Sequence, residues 1–419
     1  MPSSAPALEA PLERRVLWLV TLVQLVNVLD FVMVMPLGRD FARALDFPES
    51  KLGLIGGAYT LAAAFAGILS SRFLDRADRR TALAVAMAGL VAATAAGGFA
   101  RDLPSMMATR IIAGAFGGPA TSLALAIVAD VVPLERRGKA MGIVSAAFPI
   151  ASVLGVPAAI YAAELGSWRT PFFAVASVGA AVTVFAVQSL PSLRLHLAGE
   201  RRAATPTLAL IRRPEMAMTL AAAGAMTLSV FMIIPYVRSF LQNNHHYPES
   251  QIKYLYLVGG LASFATVRLT GPAVDRIGST PIAVLGTIVL AGCQLVWFLP
   301  ERALVPAMLV FVAFMCTASL RGVPLSTLSS KLPAPHERAQ YMSLQSAMQH
   351  LASASGAIGS SWILTTGPDQ RILHMDIVVG LSIVLAALMP LLLWRVERRV
   401  KARLASAAAA AAAARAAAA

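Results

Sequence analysis

Charged side chains are scarce in this sequence. Only 13% of its 419 residues are Asp, Glu, Lys or Arg, whereas hydrophobic residues make up 58%. Typical soluble globular proteins are about 25% charged. A chain with so few charges cannot cover a water-facing surface, which excludes the soluble classes, and we predict an integral membrane protein.

Cysteine and histidine are also scarce, with two and six copies. Cys293 and Cys316 both lie in apolar runs without a ligand-like spacing, so we predict no disulfide framework, no metal site and no cofactor. The sequence contains no P-loop and no motif for acyl or phosphoryl transfer, which argues against ATP-driven export and against an enzyme. The net charge of +14 comes from short Lys and Arg clusters between apolar spans, without interleaved aromatic residues. These clusters favour membrane topology signals over a nucleic-acid partner.

Long apolar stretches are abundant instead. Each is long enough for a helix to cross a hydrocarbon core about 30 Å thick, and far too long for a barrel strand. The first has no cleavage site behind it and is predicted to be retained. We therefore predict an all-α membrane protein with twelve transmembrane helices, at residues 16–38, 50–72, 81–100, 104–129, 140–163, 171–190, 216–242, 252–273, 281–299, 304–328, 341–366 and 374–394.

The distribution of Lys and Arg predicts the orientation. Most of the 35 basic residues fall on one side if the N-terminus is cytoplasmic, so both termini are expected to be cytoplasmic. The resulting organisation has five parts: a cytoplasmic N-terminal tail (1–15), a six-helix bundle (16–190), a cytoplasmic linker (191–215), a second six-helix bundle (216–394) and a cytoplasmic Ala-rich tail (395–419).

Two segments of the first half recur in the second half. "SSRFLDRADRR" after span two matches "TGPAVDRIGST" after span eight, and "PLERRGKAMG" after span four matches "APHERAQYMS" after span ten. The offset is close to 200 residues in both cases. Two copies of a six-span unit, related by a pseudo-twofold axis, predict a transporter that binds its substrate between the halves and alternates access.

These loops resemble those of the major facilitator superfamily, and within it the twelve-span drug:proton antiporter and sugar-efflux group. The family motif G-x-x-x-D-[RK]-x-G-[RK]-[RK] is matched at Asp75, Arg76, Arg79 and Arg80, with Ser71 and Asp78 in place of its glycines. The second copy keeps Gly271, Asp275, Arg276 and Gly278 but lacks the final basic pair.

The resemblance implies that these residues form a gating motif, in which Asp75 holds one state closed by meeting a neighbouring helix N-terminus or an arginine. A role limited to topology remains open for Arg76, Arg79 and Arg80. In span four, "RIIAGAFGGPA" resembles the family motif R-x-x-x-G. In span five, "VLGVP" resembles part of the exporter motif, whose earlier Gly-Pro pair is missing here. Gly114, Gly118, Gly155 and Pro157 are the corresponding helix-packing positions.

Charges within the spans indicate where function resides, because each costs at least about 2.5–3.5 kcal/mol to insert. Asp30 lies in span one on a polar stripe with Gln24 and Asn27. Because burial disfavours the charged form, a carboxylate there can take up and release protons at ordinary pH. In the resembling antiporters the span-four arginine, Arg110 here, modulates such a group. Two interpretations remain open: proton coupling through Asp30, or a permanent Asp30–Arg110 ion pair that fixes helix packing.

Further polar and aromatic residues are candidates for the substrate cavity. Arg321 in span ten could attract an anionic or carbonyl-bearing substrate or pair with Asp30. Arg238 and Arg268 lie closer to span ends and are expected to reach the lipid headgroups. The full predicted cavity set is Gln24, Asn27, Tyr59, Tyr236, Arg321, Gln345, Gln349 and His350.

The sequence thus predicts a secondary active transporter for proton-coupled efflux of small organic compounds, such as drugs, sugars or metabolites. The expected location is a bacterial inner membrane, and the expected partners are the substrate, protons and lipid, with the chain acting as a monomer. A facilitator or importer on the same fold and a transport-silent ligand sensor remain alternatives.

Overall fold

The computed structural model describes residues 10–74, 78–192, 207–300, 304–334 and 337–418. Nearly all of this chain is helical, with short 3₁₀ turns and one small β-hairpin between helices. The helices of the first half are α1 (Ala10–Val34), α2 (Gly38–Ala44), α3 (Leu52–Leu74), α4 (Arg79–Gly97), α5 (Leu103–Val131), α6 (Leu134–Ser145), α7 (Ala147–Ile150), α8 (Val156–Leu165) and α9 (Thr170–Ser189).

The second half repeats this order after the linker. Its elements are α10 (Thr207–Ile211), α11 (Pro214–Phe231), α12 (Val237–Asn243), α13 (Ile252–Ile277), α14 (Ser279–Phe298), α15 (Ala307–Lys331), α16 (Arg338–Ile363), β1 (Thr365–Thr366), β2 (Ile372–Leu373) and α17 (Met375–Ala418). The two strands pair antiparallel, with Thr365 opposite Leu373. The short helix α2 and this hairpin were not predicted from the sequence.

Ten helices of the described residues are long and apolar enough to cross a membrane. The other two predicted spans are also present as helices. One is α16, whose polar residues lower its hydropathy, and the other is span five, which is divided among α6, α7 and α8. The twelve-span architecture predicted from the sequence is therefore confirmed.

Two spans that were predicted to be continuous are interrupted at prolines. In span five, a π-helical segment, Ala151–Gly155, precedes α8, and Pro157 lies in the first turn of α8. In span seven, α11 and α12 are separated by a 3₁₀ turn that contains Pro235. Proline cannot donate the backbone hydrogen bond that continues an α-helix, so the chain adopts a wider or a tighter turn there.

The two ends of the molecule differ in how the halves meet. We call the end that carries α2, α12 and the β-hairpin the hairpin end, and the end where α1 and α11 begin the linker end. At the hairpin end one buried apolar cluster contains residues of both halves, including Met33 and Phe41 from the first and Phe240 and Trp297 from the second. The other three clusters each belong to one half. The halves are thus packed together at the hairpin end.

Candidate functional site

A buried ion pair lies inside the first half. Asp30 near the end of α1 is completely buried, and Arg110 on α5 is 1% exposed. Arg110 Nη1 donates to Asp30 Oδ1 over 3.0 Å. The structure thus brings together the two charges that the sequence singled out for proton coupling.

The pair is only partly satisfied by hydrogen bonds. The Thr94 hydroxyl on α4 lies 2.7 Å from Asp30 Oδ1 and 2.8 Å from the Leu90 carbonyl oxygen, so two acceptors share its single proton. Asp30 Oδ2 and Arg110 Nε and Nη2 are buried and have no hydrogen-bond partner among the residues that the structure describes. The guanidinium instead lies 5.2 Å from the Phe172 ring centroid.

Asn27, one turn before Asp30, connects three helices of the same half. Its Nδ2 donates to the Gly117 carbonyl oxygen over 2.9 Å and to Thr121 Oγ1 over 2.7 Å. The Tyr59 hydroxyl on α3 donates to Asn27 Oδ1 over 2.9 Å. Asn27 and Asp30 thus face α3, α4 and α5 within the first half.

Two glycines allow this close arrangement. A Cβ at Gly114 would collide with the backbone oxygen of Tyr59, and one at Gly118 with that of Ala63. A pair of small residues four positions apart lets membrane helices approach each other closely. Gly114 and Gly118 thus bring α5 against α3 and place Arg110 beside α1. Gly155 instead faces the flexible Leu29 side chain, and Pro157 lies at the start of α8.

The second half contains a related arrangement in which a hydroxyl takes the place of the carboxylate. Arg321 on α15 is 1% exposed, and its Nη2 lies 3.4 Å from Ser229 Oγ on α11. Ser229 stands 199 positions after Asp30, and Gln294 stands 200 positions after Thr94. Gln294 donates to Ser382 Oγ, which in turn donates to the Ser229 carbonyl oxygen. Among the ion pairs of the described residues, none includes Arg321, and it does not contact Asp30.

The other predicted cavity residues lie at different depths. Gln24 and Gln345 each have a buried Oε1 atom that no described residue hydrogen-bonds, and Gln349 and His350 are half-buried on α16. Tyr236 is fully buried at the hairpin end, where its hydroxyl accepts from the Gly53 N–H over 3.2 Å and lies 2.7 Å from Ser361 Oγ.

Arg238 joins the halves at the hairpin end. It is 5% exposed, and its Nη1 donates to Asp40 Oδ2 over 2.6 Å and to the Pro36 carbonyl oxygen. Its Nη2 pairs with Glu249 over 3.1 Å. The prediction that Arg238 reaches the headgroups is wrong, because these acceptors hold it in the seam between the halves. Sequence reasoning missed Asp40 and Glu249, because both lie outside the predicted spans.

Part of the gating motif can be described. Asp75 and Arg76 lie outside the described residues. Arg79 pairs with Asp130 at the end of α5 over 3.2 Å. Arg80 donates its backbone N–H to the Asp78 carboxylate, which caps α4. Asp78 therefore has a structural role at a position where the family motif has glycine.

In the second half, Gly278 occupies the matching place with φ of +96°, a conformation that favours glycine. A side chain there would also collide with the Glu397 carboxylate, which accepts the N–H of Thr280 at the start of α14 over 2.8 Å. Asp275 and Arg276 are exposed, and Gly271 is half-buried with open space around its Cα.

Two ion pairs at the linker end occupy matching positions with opposite polarity. In the first half Arg136 pairs with Glu13 over 2.8 Å, and in the second Arg213 pairs with Glu337 over 2.7 Å. Glu13 and Arg213 are 200 positions apart, and Arg136 and Glu337 are 201 positions apart. Hydrogen bonding to Glu337 raises the pKa of Arg213 above its ordinary value.

Comparison with known proteins places these features in a family. The profile described as Major Facilitator Superfamily matches residues 20–357 and 219–418. A chloramphenicol resistance protein of Streptomyces lividans is 26% identical over 63% of this chain and 69% of its own. The purine ribonucleoside efflux pump NepI of Shigella dysenteriae is 25% identical over 80% and 82%. The inner membrane transport protein YdhP of Escherichia coli is 29% identical, over about half of either chain (52% and 56%).

Solved structures share the fold at low sequence identity. A bacterial homologue of the human lysosomal transporter Spinster, in an inward-facing and unoccupied conformation, has a TM-score of 0.72 at 16% identity and covers 93% of this chain and 98% of its own. A single-residue mutant of the nucleoside transporter NupG has a TM-score of 0.69 at 14% identity, covering 91% and 98%. The profile match, the repeated halves and the twelve spans lead to one conclusion: the chain belongs to the major facilitator superfamily of membrane transporters.

Proposed function

We propose that this chain exports small organic compounds in exchange for protons, with Asp30 as the protonation site. The observation that carries the proposal is the incomplete Asp30–Arg110 pair. A pair that serves packing alone is expected to satisfy its buried atoms, because unmet polar groups and charges in a core are costly. Here Asp30 Oδ2 and two guanidinium nitrogens lack a hydrogen-bond partner in the described part of the chain.

Arg110 has two effects on Asp30. Its positive charge stabilises the carboxylate, and burial at the pair favours the protonated form. These opposing effects allow a small change in the separation of α1 and α5 to bind or release a proton. A substrate that moves α1 therefore changes the proton affinity of Asp30, which is the linkage that an exchanger requires.

The relatives support export as the direction. The names of two of them describe chloramphenicol resistance and purine ribonucleoside efflux. We propose an inner-membrane location with both termini cytoplasmic, which places the linker end inside the cell. The structure then corresponds to a state closed toward the outside by the Arg238 and Tyr236 contacts. The Asp75–Arg80 motif and its second copy at 271–278 act as the latch of the opposite state.

The coupling role is tested by proton release from purified protein. Chloramphenicol or inosine is added to weakly buffered wild type, Asp30→Asn and the exposed-loop control Asp369→Asn, and the pH is recorded with an indicator dye. Wild type and the control are expected to release protons on binding, whereas Asp30→Asn binds without release because its amide cannot titrate.

Everted vesicles give the matching flux measurement. Wild type is expected to dissipate a pH gradient when the compound is added, and Asp30→Asn is not. Equal proton release from Asp30→Asn and wild type would show that Asp30 is a packing charge, and the antiport proposal would then fall. Flux without any dependence on the gradient would identify a facilitator.

A further inference from the structure

Three aromatic rings form a stack that crosses the seam between the halves. Phe31 on α1 lies 5.3 Å from Tyr59, with an interplanar angle of 27°, and 6.0 Å from Phe231 of the second half, with an angle of 24°. The other ring pairs among the described residues are edge-on or tilted, and each lies within one half. A near-parallel arrangement between the halves is therefore particular to this place.

The stack lies next to the hairpin-end contacts. Phe31 is in the last turn of α1, and Phe231 is the last residue of α11, shortly before the turn that carries Tyr236. Phe31 and Phe231 are half-buried, so part of each ring is accessible. Tyr59 is held in place because its hydroxyl donates to Asn27. The three rings thus lie at the edge of the closely packed hairpin end, and the remainder of the interface between the halves continues from them toward the linker end.

Unpaired polar atoms are found farther toward the linker end. Gln345 is 5% exposed and Ser353 3%, both on α16, which packs against α3 across the seam. Gln345 Oε1, Ser353 Oγ and Gln24 Oε1 have no hydrogen-bond partner in the described part of the chain. Gln24 precedes Phe31 by seven residues, or about 10 Å along the helix. Buried polar groups of this kind normally require a partner.

We propose that the transported compound carries a planar aromatic ring, which stacks on Phe31 and Phe231, and polar groups about 10 Å away that pair with Gln24 and Gln345. This rests on the proposed function and names its substrate class. Parallel, offset stacking is a favoured geometry for aromatic pairs, and removing one ring partner is expected to weaken binding about three- to tenfold.

The stack also connects the substrate to the proton site. Phe31 directly follows Asp30, so the ring on the seam and the carboxylate inside the first half belong to the same helical turn. A ligand that displaces Phe31 from Phe231 moves this turn relative to Arg110. Phe31, which would contact the compound, is thus the direct neighbour of Asp30, the proposed protonation site.

The test compares aromatic and non-aromatic probes on matched variants. Dissociation constants for chloramphenicol, inosine and the non-aromatic sugar arabinose are measured with wild type, Phe231→Leu, Phe231→Tyr and Phe31→Leu. Phe185→Leu is the control, because Phe185 is 52% exposed on α9 and its loss also removes a ring. Size-exclusion profiles and melting temperatures show which variants fold, and either leucine variant suffices for the comparison.

The leucine variants are expected to bind at least one aromatic probe about three- to tenfold more weakly, whereas Phe231→Tyr and the control bind as wild type does. Unchanged affinity in folded leucine variants, or binding of arabinose alone, overturns the inference. Proton release separates it from the proposed function. If arabinose triggers proton release and the aromatic probes do not bind, the antiport proposal holds and the aromatic subsite is wrong. If the aromatic probes bind without proton release, the subsite holds and the antiport proposal is wrong.

Discussion

Each half of the molecule has a buried arginine in its fourth span, and the two arginines have different surroundings. Arg110 faces the carboxylate of Asp30, whereas Arg321 faces the hydroxyl of Ser229. The surrounding residues also correspond, with Thr94 in one half and Gln294 in the other. One copy of the repeat therefore keeps a titratable pair, and the other keeps only the cation. The difference indicates that a duplicated fold can retain its packing while the chemistry becomes specific to one half.

The largest expected effect comes from removing each arginine in turn. Arg110→Met leaves Asp30 buried beside no cation, and we expect the free energy of unfolding to fall by about 3–5 kcal/mol. Arg321→Met removes a cation that has no carboxylate partner, so its effect is expected to be neutral or stabilising. Denaturant unfolding in detergent measures both. The loss in Arg110→Met should grow as pH rises, because the isolated carboxyl must then be charged. An equal decrease in the free energy of unfolding for Arg110→Met and Arg321→Met would show that the two buried arginines contribute equally to stability.

A second change gives the second half the missing carboxylate. Ser229→Asp places an acidic group within reach of Arg321 Nη2, so ligand-triggered proton release is expected to increase over wild type, by up to about one proton. Ser229→Asn is the control, because it has nearly the same shape and does not titrate. Release measured by indicator dye that is the same in both variants would mean that position 229 does not respond to the ligand.

The ion pairs at the linker end allow a smaller test of the same comparison. Glu13→Arg places two arginines together, and the double variant Glu13→Arg/Arg136→Glu recreates the polarity found in the second half. We expect the single variant to lose about 0.2–1 kcal/mol and the double variant to recover most of it, since one partner of each pair is solvent-exposed. A double variant no more stable than the single one would show that the polarity of this pair is fixed by its surroundings.

The smallest effect concerns the start of the fourth span. Asp102 caps α5 by accepting the Ser105 N–H over 2.8 Å, whereas Pro306 at the start of α15 provides no side-chain cap. Hydrogen bonds from Ser105 lower the pKa of Asp102 below its ordinary value of 3.8. A lowered folded-state pKa stabilises the fold above the unfolded pKa, and the benefit disappears as pH falls through the folded value.

Asp102→Asn keeps a capping oxygen and removes the charge. The melting temperature of wild type should therefore exceed that of Asp102→Asn slightly at neutral pH, and the two should converge only as pH falls from 3.8 through the lowered pKa of Asp102. A difference that persists at the lowest pH at which the protein stays folded would assign the effect to hydrogen-bond geometry and not to charge.

The spans could be predicted from the sequence because length and composition alone determine what crosses a bilayer. The pairing of Asp30 with Arg110 could also be predicted, because a buried charge requires a partner and the spans contain few other charged residues. The breaks near Pro157 and Pro235 were not predicted, although proline marks both. An apolar run does not reveal whether the helix resumes in the same direction after the proline.

The residues at the hairpin end were harder to predict. Arg238 pairs with Glu249, 11 positions later, and with Asp40, which lies 198 positions earlier in the other half. Tyr236 was expected on a cavity wall for the same reason: its neighbour Gly53 is 183 positions away. Contacts between the halves form in some conformational states and are absent in others. Because one sequence encodes all of these states, it does not indicate which contacts are present in a given state.

The closed hairpin end also has a kinetic consequence. Opening it requires the contacts between the halves to be lost together: the Arg238–Asp40 pair, the hydrogen bonds of Tyr236 to Ser50 and Gly53, and the Lys51–Ser361 hydrogen bond of 3.1 Å. If these contacts favour the closed state by about 2.7 kcal/mol, only about one molecule in a hundred is open at that end. A compound arriving from that side would meet a transporter whose apparent affinity is reduced about a hundredfold. The closed contacts would thus raise the half-saturating concentration for compounds on that face, even with equal intrinsic affinity on both faces.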